Sequence, residues 1–216
     1  MEAPDRSPPL GHRTSGPAPT ERRERTRRAI LTAAFALIGR ENGLSTRIEE
    51  VCVDAAISRG SFYNYFSGME ELFATISQRV PHSFVGTVIA EMGRLETAAE
   101  RCDHGLRRFL EKARTDTPWG WAIVNVGAMG PLFGEDMAAM AERTVADGVS
   151  AGELSIADAG IGSDLLLGAM HAAILGHLRR GSDDDMPRIV SRAVLAGLGV
   201  SPDRIETIVA RRQPPA

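Results

Sequence analysis

From residue 22 onward, apolar positions recur at spacings of three and four, and no run alternates in the way a half-buried strand would. Ile30, Ala34, Leu37 and Ile38 fall on one stripe of a long helix that begins near Arg22, with Gly43 placed to end it as a C-cap glycine. Ile48, Val51, Cys52 and Ala55 mark the inner stripe of a short second helix, and Thr46 with Glu49 three residues later predicts a capping box at its start. After a turn at Ala56 and Ile57, Ser58 caps a third helix that points Phe62 and Phe66 inward. A fourth begins near Met69 and turns Leu72, Phe73, Ile76 and Val80 inward, and Pro81 kinks or ends it. Further helices are expected over 82–95, 97–115, 118–129, 134–151, 160–180, 185–198 and 202–212, with proline or glycine at the junctions. The fold class is therefore all-α.

The same pattern divides the chain. Residues 1–20 hold Pro4, Pro8, Pro9, Pro17 and Pro19 and almost nothing apolar, so they read as a flexible, disordered arm. Residues 21–68 form a three-helix unit, and residues 69–216 a larger helical one. Within the small unit, two short helices joined by a tight turn make the geometry of a DNA-reading helix-turn-helix. With Phe62 and Phe66 turned inward, Arg59, Gly60, Ser61, Tyr63 and Asn64 lie near the exposed N-terminal face of the second short helix, where hydrogen-bonding side chains suit a major groove. Arg59 and Ser61 are expected nearest base edges, with the bare Gly60 backbone letting the helix approach. Tyr63, Tyr65 and Thr46 are expected to grip phosphates, which fixes register without reading sequence, and Arg47 can do either.

The run Ser-Arg-Gly-Ser-Phe-Tyr-Asn-Tyr-Phe at 58–66, the amphipathic first helix ending near Asn42 and Gly43, and Glu-Glu-Leu-Phe at 70–73 together resemble the N-terminal domain of the tetracycline-repressor (TetR) family, over about Thr26 to Val80. Two positions depart from that family's pattern: Ala56 stands where glycine is usual in the turn, and Met69 where lysine is usual, which removes a phosphate contact. The resemblance implies a homodimer paired through its last long helices into a four-helix bundle. It also implies a palindromic double-stranded operator and a small-molecule effector that enters the C-terminal domain and releases the DNA.

Charge changes the picture only locally. The formal net charge of -3 is unlike a nucleic-acid binder, yet Arg22, Arg23, Arg25, Arg27 and Arg28 cluster at the entry to the first helix, far from the Asp183–Asp185 triplet. The cluster is either a solvated helix start or a phosphate or minor-groove contact. Lys112 is the only lysine; arginine's planar fork suits phosphates and guanine edges, although genome base composition explains such a bias equally well. Cys52 and Cys102 offer neither a disulfide framework nor a metal cluster. No apolar run looks long enough to span a membrane and the first twenty residues lack a signal-peptide core, so no membrane association and a cytoplasmic location are expected.

In the larger unit, Gly168, Ala172 and Gly176 recur at successive i+4 positions, and Ala193 and Gly197 repeat the theme. With Leu166, Met170, Ile174, Ile189, Val190 and Val194 between them, the helices at about 160–180 and 185–198 offer a self-complementary interface, or ordinary packing within one chain. Trp119, Trp121, Met129, Phe133, Met137 and Met140, joined by Phe84, Met92, Phe109 and Met170, can line an adaptable apolar pocket or fill a core. His171 and His177 either orient a ligand's polar group or sit as satisfied core histidines.

No phosphate loop, nucleophile elbow or metal-helix histidine pair appears, so neither catalysis nor a cofactor is indicated. The function expected is a ligand-responsive DNA-binding transcriptional repressor. The alternatives are a helical small-molecule-binding protein with a vestigial DNA-binding motif, suggested by Met69 and the modest charge, and a small helical enzyme acting on the pocket's ligand.

Overall fold

The computed structural model describes residues 19–79, 82–128 and 135–211. Among these residues there is no strand, and the elements run α1 (Pro19–Ile38), α2 (Ile48–Asp54), α3 (Arg59–Tyr63), α4 (Met69–Arg79), α5 (His82–Met92), α6 (Ala98–Thr115), α7 (Thr117–Gly127), α8 (Glu135–Ser150), α9 (Ala159–Arg180), α10 (Met186–Gly197) and α11 (Pro202–Val209). The arm expected over 1–20, Val80 and Pro81, and the pocket candidates Met129 and Phe133 lie outside the described residues, except that Pro19 and Thr20 belong to α1.

The N-terminal unit closes around Ile30, Ala34, Leu37 and Ile38 of α1, Val51 and Cys52 of α2, Phe62 of α3, Phe66, and Leu72, Phe73 and Ile76 of α4, all buried. Two local expectations need correcting. Gly43 does not cap α1, which ends at Ile38; it starts a separate 3₁₀ turn, Gly43–Ser45. The Thr46–Glu49 capping box is absent because Thr46 closes that turn, its N–H donating to the Gly43 carbonyl at 3.2 Å. The helix start moves on by one residue, and the Arg47 N–H donates to Glu50 Oε2 at 2.8 Å. Ala56 sits at φ 52°, in the left-handed region that favours glycine.

In the C-terminal unit α6 runs through the middle, started by a Thr97–Glu100 capping box and flanked by α5, α7, α8, α9 and α10. Buried charge ties its neighbours to it. Glu91 Oε2 of α5 accepts from Arg108 Nε at 3.0 Å and lies 2.8 Å from His104 Nε2. Burial pushes the Glu91 carboxyl up, but these bonds and charges outweigh it and hold its pKa below the usual carboxylate value. On another side of α6, Asp103 accepts from Ser191 Oγ of α10 at 2.6 Å, while Arg107 Nη1 donates to the Val209 carbonyl at the end of α11 at 3.2 Å.

By length and composition α9 could cross a membrane, contrary to the expectation that no run would reach that length. Its inner stripe, Leu166, Leu167, Met170 and Ile174, is buried in the bundle core, while Ile161 and Leu165 carry apolar character to the outer face.

Replacing Ala56 by glycine should relieve about 1–2 kcal/mol of left-handed strain against about 0.4–1 kcal/mol of added unfolded-chain freedom. The expected outcome is a melting temperature about 1–3 °C higher in a thermal scan. Glu91→Gln should cost about 3 kcal/mol near neutral pH by leaving Arg108 without its counter-charge. A carboxylate with a depressed folded-state pKa contributes fully above its unfolded value, about 4.3, and loses the contribution as pH falls through the lower folded value. Denaturant melts of wild type and variant should therefore begin to converge as pH falls below about 4 and meet only below the folded-state pKa.

Candidate nucleic-acid interface and effector cavity

A five-residue helix such as α3 has no stability of its own, so its surroundings must hold it. Ser58 Oγ accepts from the Ser61 N–H at 3.1 Å, and Phe62 and Phe66 are anchored with their ring centroids 5.9 Å apart. That anchoring settles what faces outward. Arg59, Gly60, Tyr63 and Asn64 are exposed, with Ser61 half-buried beside them. A side chain at Gly60 would meet nothing closer than Ser58 Oγ at 3.9 Å, so the fold does not need glycine there and its bareness clears the outer surface. Arg59 Nη1 pairs with Glu49 Oε1 of α2 at 2.8 Å, and its guanidinium lies over the Tyr63 ring, 5.9 Å from the centroid. The hydrogen bond to Tyr63, with the Glu49 charge behind it, raises the Arg59 pKa, so this group remains a cation.

Thr46 is half-buried and Arg47 exposed at the start of α2. Tyr65 is half-buried against the N-terminal core, under the guanidinium of Arg23 at 5.9 Å, while Arg27 covers Phe66 at 5.4 Å. The arginine cluster thus divides: Arg23, itself exposed, and Arg27 lie over rings at the corner after α3, and Arg22, Arg25 and Arg28, three apart along α1, are exposed on another side of the helix. Met69 packs against the N-terminal core, so the residue that departs from the family pattern is used for burial.

A tight, partly open cavity of about 30 Å³ lies among α5, α6, α8 and α9. Of the residues proposed from sequence, Met92, Phe109, Met137 and Met170 line it, and Met140 joins them. Phe84, Trp119, Trp121 and His171 are not in the wall. Phe84 and Trp119 instead close a ring cluster with Phe109, at centroid distances of 5.3 to 5.7 Å, and Trp121 is buried on α7. Burial lowers the His171 pKa, favouring the neutral ring. Sequence reasoning missed Val88, Gly105, Leu106, Leu166 and Leu167, apolar residues indistinguishable in pattern from ordinary core, and the polar wall residues Arg101, Cys102 and Thr144. A Cβ at Gly105 would stand 3.3 Å from Met92 Sδ, so this glycine keeps part of the cavity open. Burial pushes the Cys102 thiol up to about 12.

The outer faces of α9 and α10 match the expected list in part: Gly168, Ala172, Ile189, Ala193 and Gly197 face outward. Leu166, Met170, Ile174 and Val194 are buried within the single chain and Val190 is half-buried. The stripe facing out holds Ile161 at 64% exposure, Leu165 at 38%, Gly168 and Ala172 on α9, with Ile189 at 56%, Ala193 and Gly197 on α10. Space beside Gly168 is open, since a Cβ there would meet nothing within 4 Å.

Between the two units stands α7. Its Ala122 and Val126 belong to the N-terminal core, while Trp119, Ile123 and Val124 belong to the bundle core. The buried Asn125 Nδ2 donates to the carbonyls of Ile38 and Arg40 at 2.8 and 2.9 Å, satisfying groups left over where α1 ends. A Cβ at Gly39 would lie 2.7 Å from the Pro118 carbonyl oxygen, so only glycine permits so close an approach.

Comparison with known proteins agrees with this arrangement. No protein of curated function matches the chain. The structure is similar to that of RolR (NCGL1110) in complex with resorcinol, with 27% identity over 90% of this chain and 98% of that one and a TM-score of 0.72. It also shares its fold with the fatty acid degradation regulator FadR from Bacillus halodurans, at 14% identity over 87% and 100% of the two chains and a TM-score of 0.65. A third similar fold is AibR in complex with isovaleryl coenzyme A and operator DNA, at 16% identity over 80% and 97% and a TM-score of 0.58. Residues 30–76 match the family described as bacterial regulatory proteins, tetR family, and residues 97–211 match the tetracyclin repressor-like C-terminal domain. With more than half of its length in that C-terminal domain and the reading helix in the N-terminal one, the chain belongs to the TetR family of DNA-binding transcriptional regulators.

Proposed function

We propose that this regulator represses by binding a palindromic operator as a homodimer through α3, and releases it when a small, largely apolar effector fills the cavity beside α6. The observation that carries the reading is the polarity of α3: two phenylalanines lock its inner side, and the polar outer end is left free beside a basic α1. In this reading Arg59 and Ser61 meet base edges across the bare surface of Gly60. Thr46, Tyr63, Asn64, Tyr65 and the exposed arginines of α1 contact the backbone, with Arg47 available to either.

Pairing through the outward stripe of α9 and α10 builds the two-fold axis. Small residues let the helices of two copies approach closely, and Ile161, Leu165 and Ile189 supply apolar area that a lone chain leaves in water. Two reading helices related by that axis meet successive major grooves about 34–36 Å apart.

At about 30 Å³ the cavity is smaller than a ring compound, so the flexible methionine wall would have to move aside to admit one. Methionines at 92, 137, 140 and 170 adapt their shape, and the surface they border is almost wholly apolar, with the Thr144 hydroxyl donating to the Met140 carbonyl and Arg101 to the carbonyls of Leu95 and Glu96. Resorcinol, bound by the RolR relative at 27% identity, is such a ring compound. An effector acts only through preference for one of two forms. The routes from the cavity to the reading helix are α4, which joins the units along the chain, and α7, whose residues enter both cores.

Selection of duplexes from a random pool by the purified protein should enrich a palindrome, and small phenolic compounds should displace the selected duplex; no enriched palindrome would overturn the reading. Arg59→Ala should lose about 1–3 kcal/mol of discrimination at one base position per half-site, measured by competition between single-base operator variants. Ala172→Arg should convert the dimer to a folded monomer in sedimentation velocity and abolish gel-shift binding at concentrations that saturate the wild type.

A further inference from the structure

The geometry points to Glu49 as a specificity-determining residue, one that holds Arg59 at the base edges and keeps it off the phosphates of non-operator DNA. An acid is unexpected at this place. Glu49 lies in the first turn of α2, on the side that meets the N-terminal end of α3, two residues from the exposed Arg47 and facing the helix that carries Arg59, Ser61 and Tyr63, groups otherwise suited to a polyanion. The carboxylate stands 2.8 Å from Arg59 Nη1, with 57% of its side chain and 61% of Arg59's exposed. So exposed a pair contributes little to folding. The neighbouring Glu50 is occupied differently, accepting the Arg47 N–H at 2.8 Å in the cap of α2.

Glu49 and Tyr63 together fix the guanidinium. The carboxylate takes Nη1 from one side, while the Tyr63 hydroxyl accepts from Nη2 at 3.5 Å and its ring lies beneath. A guanidinium has five N–H donors, so other edges remain for a guanine. Holding a flexible arginine in one rotamer before binding lowers the ordering cost of the correct contact. The paired charge also cancels the attraction that would draw Arg59 to any phosphate within reach, so the pair penalises wrong partners as much as it helps the right one. Glu49 is thus a positioning residue for base readout.

This inference rests on the proposed DNA reading, and the two fail separately. The probes are a duplex enriched from a random pool by the wild-type protein and an unrelated duplex of equal length and base composition. Glu49→Gln should tighten binding to the unrelated duplex and lower the ratio between the two by about two- to fivefold. It should also steepen the salt dependence of non-operator binding by about one counterion per half-site as Arg59 turns to a phosphate. Preference at the base position sensitive to Arg59→Ala should flatten, and Glu49→Gln should have no such effect in the Arg59→Ala background. An unchanged ratio and salt slope in a folded Glu49→Gln protein would overturn the role of Glu49 while leaving DNA recognition intact. Failure of the wild type to enrich any duplex would overturn both.

Discussion

The molecule depends on the packing of α7, the helix whose residues enter both apolar cores. Ala122 and Val126 fill the reading unit from below, and Trp119, Ile123 and Val124 face the bundle. Contact alone would allow the small unit to slide. Asn125 prevents it, because its amide is buried and its two bonds go to the carbonyls at the end of α1; a shift would leave buried polar groups on both sides without partners. The bare Cα of Gly39 against Pro118 brings the backbones close enough for those bonds to form. The orientation of α3 is therefore referred, through α1 and α7, to a bundle that also houses the cavity.

A division of labour follows within the reading unit. The helix that faces outward is too short to persist alone, and its fixity comes from Phe62, Phe66 and the Ser58 cap. Its exposed residues are correspondingly free of structural duty, which is why a bare Gly60 and a charged Arg59 cost the fold little. Strain is confined to the preceding turn, where Ala56 adopts a backbone conformation that suits glycine better.

Much of this was legible in the sequence, because helix periodicity and punctuation are local. The inward residues of α1 to α4, the Ser58 cap and the all-α class all follow from spacing. Where reading failed, the missing information was non-local. Thr46 has the composition of a cap but is consumed by the preceding turn, which no spacing rule registers. On α9 apolar residues surround the axis, so periodicity could not tell the stripe facing its own core, Leu166 to Ile174, from the one facing out, Ile161 to Ala172. Tryptophan and methionine suggested a cavity near the right helices, yet composition cannot distinguish rings that fill space from side chains that border it. Trp119 is stacked with Phe84 and Phe109, whereas Gly105, which nothing in the pattern marked, keeps space open.

The sulfur of Cys102 in the cavity wall sets a limit on how any occupant can be sensed. Burial pushes its pKa up to about 12, so the thiol stays protonated at neutral pH. Alkylating agents and peroxides therefore meet a protonated, slowly reacting thiol rather than a ready nucleophile. An occupant of the kind proposed would be held reversibly by shape and dispersion, and its effect would fade as its concentration falls with no reductase or repair step to reset it.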